Sequence, residues 1–211
     1  MQIIQLKEVD STHKYLKEYL KNNVYTKPLC ILSFKQNKGI GSRGNEWLGK
    51  EGNLFFSFVL DKELLPSDLP IQSASIYFSY LLKRTLKEMG SKLWLKWPND
   101  FYLENKKIGG TITNLSNNLF LCGIGLNLIE VNKDYGKLDI VIDKIHLLNN
   151  YFAILEKRIS WKEIFSEYKI EYSLSLEYET NIDNKKVSLK KSILNPDGSI
   201  SINEQKVFGL R

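Results

Sequence analysis

The spacing of apolar residues changes several times along the chain, and each change marks an element. Residues 2–6 (Gln-Ile-Ile-Gln-Leu) read as a short strand. Asp10, Ser11 and Thr12 then offer capping oxygens to a helix that runs to about Asn22, with Tyr15, Leu16, Tyr19 and Leu20 as its apolar stripe. Residues 29–34 read as a buried strand. Residues 36–52 form a loop with glycines at 39, 41, 44, 49 and 52, followed by an aromatic strand at 54–60. Ser67 and Asp68 are placed to cap a long helix, with Pro70 near its first turn and Gly90 just past its end. Ile76, Tyr80, Leu81 and Leu86 should face inward. A meander comes next, with strands at 93–97, 101–103, 107–115 and 119–128 joined by short polar turns. Helices are expected around 139–158 and 161–174. The last stretch changes character: 187–194, the turn Asn195-Pro196-Asp197-Gly198, 199–202 and 207–210 read as short strands of a small β unit. No internal repeat or low-complexity segment interrupts the series.

Three segments of this pattern carry chemistry. In the strand at 93–97, side chains alternate, so Leu93, Leu95 and Trp97 share one face while Trp94 and Lys96 share the other. Pro98 has no N–H and biases Trp97 toward extended geometry, so regular pairing should stop there. Asn99 and Asp100 complete the turn and Lys96 stands near the mouth of the sheet. On position alone, a solvated lysine beside an ordinary Trp-Pro turn is the favoured explanation.

The strand at 119–128 places Phe120, Cys122, Ile124, Leu126 and Leu128 on a core face, and Gly123, Gly125 and Asn127 on the other. Giving up side chains at alternate positions leaves room for another body to approach the backbone. Gly109 and Gly110 on the neighbouring strand add clearance, and together these positions suit a narrow ligand slot. Tight packing of a helix on the glycines is the competing explanation. The third segment is the loop from Gln36 to Trp47, where Gly39, Gly41 and Gly44 allow consecutive N–H groups to turn toward an anion, with Lys38 and Arg43 adding charge. Its GxGxxG string leads to another strand instead of opening a helix, which argues against a dinucleotide site.

Bulk properties narrow the class. With 211 residues, 43% of them hydrophobic, the chain can bury a full core. A net charge of +6 and a pI of about 9.1 permit an anionic ligand without requiring nucleic acid. Cys30 and Cys122 lie in apolar runs without CxxC spacing, and read as buried reduced thiols. His13 and His146 are too isolated for a histidine metal site. No signal segment or membrane-length apolar run is present, so a soluble, cytoplasmic protein is expected.

Taken in order, Val9-Asp10-Ser11-Thr12, Gln36 before the glycine loop and Trp47, Lys96-Trp97-Pro98-Asn99-Asp100, Lys107-Ile108-Gly109-Gly110 and Gly123-Ile124-Gly125-Leu126-Asn127 resemble the biotin–protein ligases. The resemblance implies an α+β fold with a mixed, mostly antiparallel central sheet and helices packed on one face, a class II synthetase-like ligase core. It implies a catalytic domain over 1–180 and a short SH3-like β unit over 185–211. It also implies the adenylation of biotin by ATP, with Mg²⁺ on the nucleotide, and transfer of the biotinoyl group to a biotin carboxyl carrier protein.

Carried over residue by residue, Ser11, Thr12 and Gln36 hydrogen-bond the ureido end of biotin, and His13 is a further biotin-binding residue. Gly39, Ile40, Gly41 and Ser42 close over it, while Gly110, Gly123, Ile124 and Gly125 line its slot. Lys96 meets the biotin carboxylate and the α-phosphate, and Arg43 is the second catalytic cation. Arg43, Gly44, Trp47, Asn99, Lys107 and Asn127 are the implied nucleotide neighbours, and no protein-bound metal is implied. The chain departs from the family at Ile40 and Ser42, where basic residues are usual, and at His13, where asparagine is common. It starts at the catalytic core, so neither a DNA-binding domain nor DNA binding is expected, and dimerisation by pairing of sheet edges is an option the family offers. The rivals are a lipoate–protein ligase, a basic nucleic-acid-binding module suggested by the pI and eleven tyrosines, and a sensor that binds without turnover.

Overall fold

The computed structural model describes residues 1–41, 46–47, 49–183 and 185–209. In chain order the main elements are β1 (Gln2–Leu6), α1 (Thr12–Asn22), β2 (Leu29–Ser33), β3 (Gly39–Ile40), β4 (Glu46–Trp47), β5 (Leu54–Asp61), α2 (Ala74–Glu88), β6 (Trp94–Lys96), β7 (Asp100–Leu103), β8 (Lys106–Ser116), β9 (Leu119–Leu126), α3 (Lys144–Glu156) and α4 (Trp161–Glu171). Then come β10 (Glu179–Ile182), β11 (Lys185–Ser188), β12 (Ile193–Leu194), β13 (Ile200–Ile202) and β14 (Gln205–Val207). Seven strands form the central sheet in the order β1-β2-β5-β9-β8-β7-β6. Only β1 and β2 pair in parallel, so the sheet is mixed and mostly antiparallel, as expected.

Each face of the sheet has its own apolar cluster, because side chains alternate across the strands. Cys30, Phe56, Phe58, Cys122, Ile124 and Leu126 face the larger cluster, where α2, α3 and α4 supply Phe78, Leu81, Tyr151, Phe152, Ile164 and Tyr168. Phe58 stacks edge-on against Phe78, Tyr151 and Phe152, and burying one such ring contributes on the order of 2–3 kcal/mol. Between sheet and flanking helices, α2 is buried almost all round, which is why its sequence lacks a clean polar stripe. Leu29, Ile31, Val59 and Leu121 face the other way and meet Leu16, Tyr19 and Leu20 of α1. The three later helices thus share one face while α1 covers part of the second. Cys30 and Cys122 are free, buried thiols whose pKa values burial drives upward.

Some local expectations change. Asp68 does not cap α2, which is preceded by a 3₁₀ turn at Ile71–Ser73. Its carboxylate instead accepts the N–H groups of Trp161 and Lys162 at 3.0 Å, so it holds the start of α4 together with the N-cap Ser160. α3 begins at Lys144, because Asp139 is engaged elsewhere, accepting from Ser91 Oγ and the Lys92 N–H. The C-terminal β unit includes β10, which precedes residue 185, and the expected strand at 187–194 is split between β11 and β12. This unit is packed onto the core. Leu189, Ile200, Ile202 and Val207 join the large cluster, and the indoles of Trp97 and Trp161 donate to the carbonyls of Gly198 and Pro196.

The sheet has two edges, β1 and β6. Along β6, the Leu95 N–H is taken by Glu171 and the Trp97 N–H by Ser175 Oγ at 3.1 Å. Unpaired strand edges invite association; here α4 and the turn after it cover one of them, leaving β1. Among the described residues no helix is long and apolar enough to cross a membrane.

Candidate active site

The face that α1 leaves uncovered carries a cleft of two connected chambers. The inner one has a volume of about 410 Å³ and is lined by Ser11, Thr12, His13, Gln36, Ile40, Gly41, Trp47, Ser57, Asn99, Asp100, Lys107, Gly110, Thr111, Ile112, Gly123, Ile124, Gly125 and Tyr135. The outer one, about 630 Å³, shares His13, Ile40, Gly41, Asn99, Asp100, Lys107 and Ile112 with it, and extends past Lys96 to the segment 177–181. Both fall in the range of roughly 300–1,000 Å³ common for small-molecule sites.

Register explains the floor. Gly110 pairs with Gly125, and Gly123 sits between Ile112 and Ser57. Ile124 points into the large cluster, so what it offers the cleft is backbone. A Cβ on Gly125 would lie 2.8 Å from the Trp47 ring, so the indole rests directly on this glycine. At Gly123 a Cβ would meet Ile112, Ser57 Oγ and His13 Nδ1 at 3.1–3.2 Å. Part of the cleared track is therefore occupied by the chain's own Trp47 and His13, and the slot is what remains between them. Gly39 packs against Trp47 and does not line the cleft.

One end of the inner chamber is a polar cluster at the start of α1. Ser11 is the N-cap. The Thr12 N–H and Oγ1 donate to Gln36 Oε1 at 2.7 and 3.0 Å, and Thr12 Oγ1 also lies 2.9 Å from Ser57 Oγ. The Gln36 oxygen is thus committed, and its amide nitrogen lies beside Gly39. His13 Nε2 lies 2.8 Å from Asn114 Oδ1, joining α1 to β8. Burial lowers the pKa of His13 to about 4, so its ring is neutral at physiological pH.

The other end is cationic. Lys96, Asp100 and Gly110 lie in line across β6, β7 and β8, which puts all three side-chain positions on the cleft face. Lys107 reaches that face by a different route. Between Phe101 and Tyr102 the register shifts, so that Phe101 pairs with Gly109 and Tyr102 with Lys107. Ile108 and Gly109 both turn toward the core, and the bulge returns Lys107 to the cleft. Its ammonium lies 2.6 Å from Asp100 Oδ1 and 5.8 Å from the centre of the Trp47 ring. Lys96, only 6% exposed, stands 3.7 Å from Asp100 Oδ2 and 5.6 Å from the centre of the Tyr102 ring.

Of the residues expected at the site, Ser11, Thr12, His13, Gln36, Ile40, Gly41, Trp47, Asn99, Lys107, Gly110, Gly123, Ile124 and Gly125 line the inner chamber. Lys96 lines the outer chamber alone, whereas Lys107 lines both, so the lysine nearest the slot is Lys107. Asn127 lines neither: its amide donates to the Gly136 carbonyl at 3.2 Å and pins the segment that carries Tyr135 to the rim. Ser42, Arg43 and Gly44 lie outside the described residues. Ser57, Asp100, Thr111, Ile112 and Tyr135 were not anticipated as lining residues. Ser57 is detectable only as a polar residue inside an otherwise apolar strand, and Tyr135 carries no local signal.

Residues 6–127 match the biotin/lipoate A/B protein ligase family, and the chain belongs to it. It is 28% identical over 127 residues to the bifunctional ligase/repressor BirA of Escherichia coli, an alignment covering 57% of this chain and 38% of BirA. The chain therefore spans less than half the length of the curated relatives it matches. Its fold superposes on the biotin acetyl coenzyme A carboxylase synthetase of Helicobacter pylori with bound biotinylated ATP (TM-score 0.93, 38% identity, 98% of this chain and 99% of the other). It also superposes on the biotin protein ligase of Aquifex aeolicus in complex with biotin and ATP (TM-score 0.77, 25% identity, 100% and 96%).

Proposed function

We propose that this chain is an ATP-dependent biotin–protein ligase. It converts biotin to biotinoyl-5'-AMP and transfers the biotinoyl group to a lysine of a biotin carboxyl carrier protein domain. The observation that carries this reading is the polarity of one slot. A neutral hydrogen-bonding cluster (Thr12, Gln36, Ser57) closes one end, two ammonium groups around Asp100 stand at the other, and bare glycine backbone with Trp47 lies between. A molecule with a compact polar head, an apolar middle and a terminal carboxylate matches that order.

In the first step a carboxylate oxygen of biotin attacks the α-phosphorus of ATP, the bond to the β-phosphate breaks, and diphosphate leaves. The attacking group is already an anion, so no protein base is needed. The barrier is repulsion between carboxylate and phosphate, which fixed cations offset best inside a site shielded from water. Lys107 is placed to meet both groups, with Lys96 behind it and Asp100 holding both amines. In the second step the amine of the carrier's lysine attacks the mixed anhydride, an amide forms, AMP leaves, and the amine gives up a proton. Trp47 over Gly125 shelters the anhydride from water. Mg²⁺ would enter with the nucleotide. Arg43 and Ser42 would complete the loop over the intermediate. An ATP-dependent reaction and two reduced thiols suit a cytoplasmic protein. Any pairing of sheet edges between two copies would use β1.

Incubation with ATP, Mg²⁺, biotin and a carrier domain tests the reading. Mass spectrometry should find one biotinoyl group on one carrier lysine, and none when lipoate replaces biotin. Lipoylation without biotinylation would assign the chain to the other branch of its family.

A further inference from the structure

The two chambers of the cleft meet at a rim that includes Asn99, Asp100 and Lys107. On the proposed reading, biotin lies in the inner chamber with its carboxylate at that rim. In phosphoryl transfer the attacking and leaving oxygens stand roughly in line across the phosphorus. Attack from the inner chamber therefore aims the bond between the α-phosphorus and the bridging oxygen into the outer one. That bond breaks, and the oxygen leaves with the electron pair as part of diphosphate.

The outer chamber has the volume and the charge for such a group. It encloses about 630 Å³, and the almost fully buried Lys96 lines it. Its inner part is net positive, because Lys96 and Lys107 share the single carboxylate of Asp100. At its mouth stand two further cations, Lys17 of α1 and Lys186 of β11, with Glu177 and Glu179 beside them, all four exposed. The flexible stems of the lysines can swing toward an anion while the glutamates turn to water. Aromatic rings fix the wall between mouth and interior. Tyr178, just before β10, packs on Tyr102 and Trp94 with ring centres 5.1 and 5.4 Å apart, and the Lys96 amine lies 5.6 Å from the centre of the Tyr102 ring. The start of the C-terminal β unit is thus held close to the lysines of the core.

We infer that the outer chamber binds the diphosphate leaving group, with Lys17 and Lys186 as binding residues beyond Lys96. Fixed cations beside a leaving oxygen act as its charge builds, at the point where they lower the barrier most. This inference rests on the proposed adenylation and deepens it: through Lys186 the C-terminal β unit takes part in the first step.

The test uses the full chain with Mg²⁺, diphosphate and purified biotinoyl-AMP. Adenylation runs backward when diphosphate attacks the mixed anhydride, which regenerates ATP and free biotin, so the diphosphate site can be read in both directions. Inhibition of adenylation by diphosphate should weaken about 2- to 5-fold in Lys17→Gln and in Lys186→Gln, the range of single exposed ion pairs. It should weaken about tenfold in the double variant. KM for ATP should rise by similar factors, and Lys186→Arg should restore both. Affinities for biotin and biotinoyl-AMP should stay at the wild-type value, as should transfer from preformed biotinoyl-AMP to the carrier. Unchanged inhibition by diphosphate in the double variant overturns the inference and leaves the ligase reading intact. A loss confined to carrier transfer also overturns it, and makes the chamber the entry for the acceptor domain. Failure of the wild type to form biotinoyl-AMP overturns both.

Discussion

The Asp100 carboxylate and the Lys107 ammonium lie 2.6 Å apart, and the other oxygen of the same carboxylate faces Lys96 at 3.7 Å. One acid therefore fixes two amines at the cleft's cationic end. Lys107→Ala should slow biotin-dependent diphosphate release by about 10²–10³-fold, the loss typical of removing one preorganised donor. Lys96→Ala should cost less, because that lysine lines only the outer chamber. A larger defect in Lys96→Ala than in Lys107→Ala would restore Lys96 as the leading cation.

Gly125 carries the Trp47 ring at a distance where no Cβ fits. Gly125→Ala should lift the indole from its seat and weaken biotin binding about tenfold or more. The strand geometry itself is ordinary, so thermal stability should stay close to wild type. Unchanged affinity in a titration would show that Trp47 does not roof the slot.

Buried and neutral, His13 makes stability depend on pH. Its folded pKa of about 4 lies below the ordinary 6.5, so the unfolded chain binds a proton that the folded chain refuses. Stability from this group is full above about pH 6.5 and is lost as pH falls toward 4, reaching about 3 kcal/mol. Denaturant unfolding of wild type and His13→Asn across that window should show the slope only in the wild type. Parallel slopes would mean that His13 titrates normally.

Glu171 ties α4 to the edge strand that carries Lys96. It pairs with Lys83 and accepts the Leu95 N–H. The Lys83 and Glu171 side chains are 7% and 12% exposed. Glu171→Ala leaves the buried Lys83 ammonium with only the Tyr80 hydroxyl and ring beside it and the Leu95 N–H without its carboxylate, which should destabilise the chain by roughly 3–5 kcal/mol. Chemical denaturation would measure it; a loss below 1 kcal/mol would place Lys83 in water.

Much of the sheet is legible in the sequence because its cues are local. Pro98 ends β6, the alternation in β9 separates a core row from Gly123 and Gly125, and turn residues mark the meander. The rest depends on long-range geometry. The resemblance puts Lys96 first; that Lys107 also faces the cleft depends on the bulge at Ile108, which leaves no mark in composition. Asp68 reads as a cap for the nearest helix, yet it serves α4, far along the chain. The stripe of α1 says that it packs on the sheet, but not on which face. The polar end was legible as Ser11, Thr12 and Gln36. Ser57, which completes it, became visible only once β5 lay beside β9.

The central claim is tested most directly by mixing the chain with biotin and ATP labelled at the α-phosphate, without a carrier, and separating the products. Biotin-dependent, stoichiometric biotinoyl-AMP should form, with one diphosphate released for each intermediate. ATP left intact in the presence of biotin, or labelled product that forms without biotin, would contradict it.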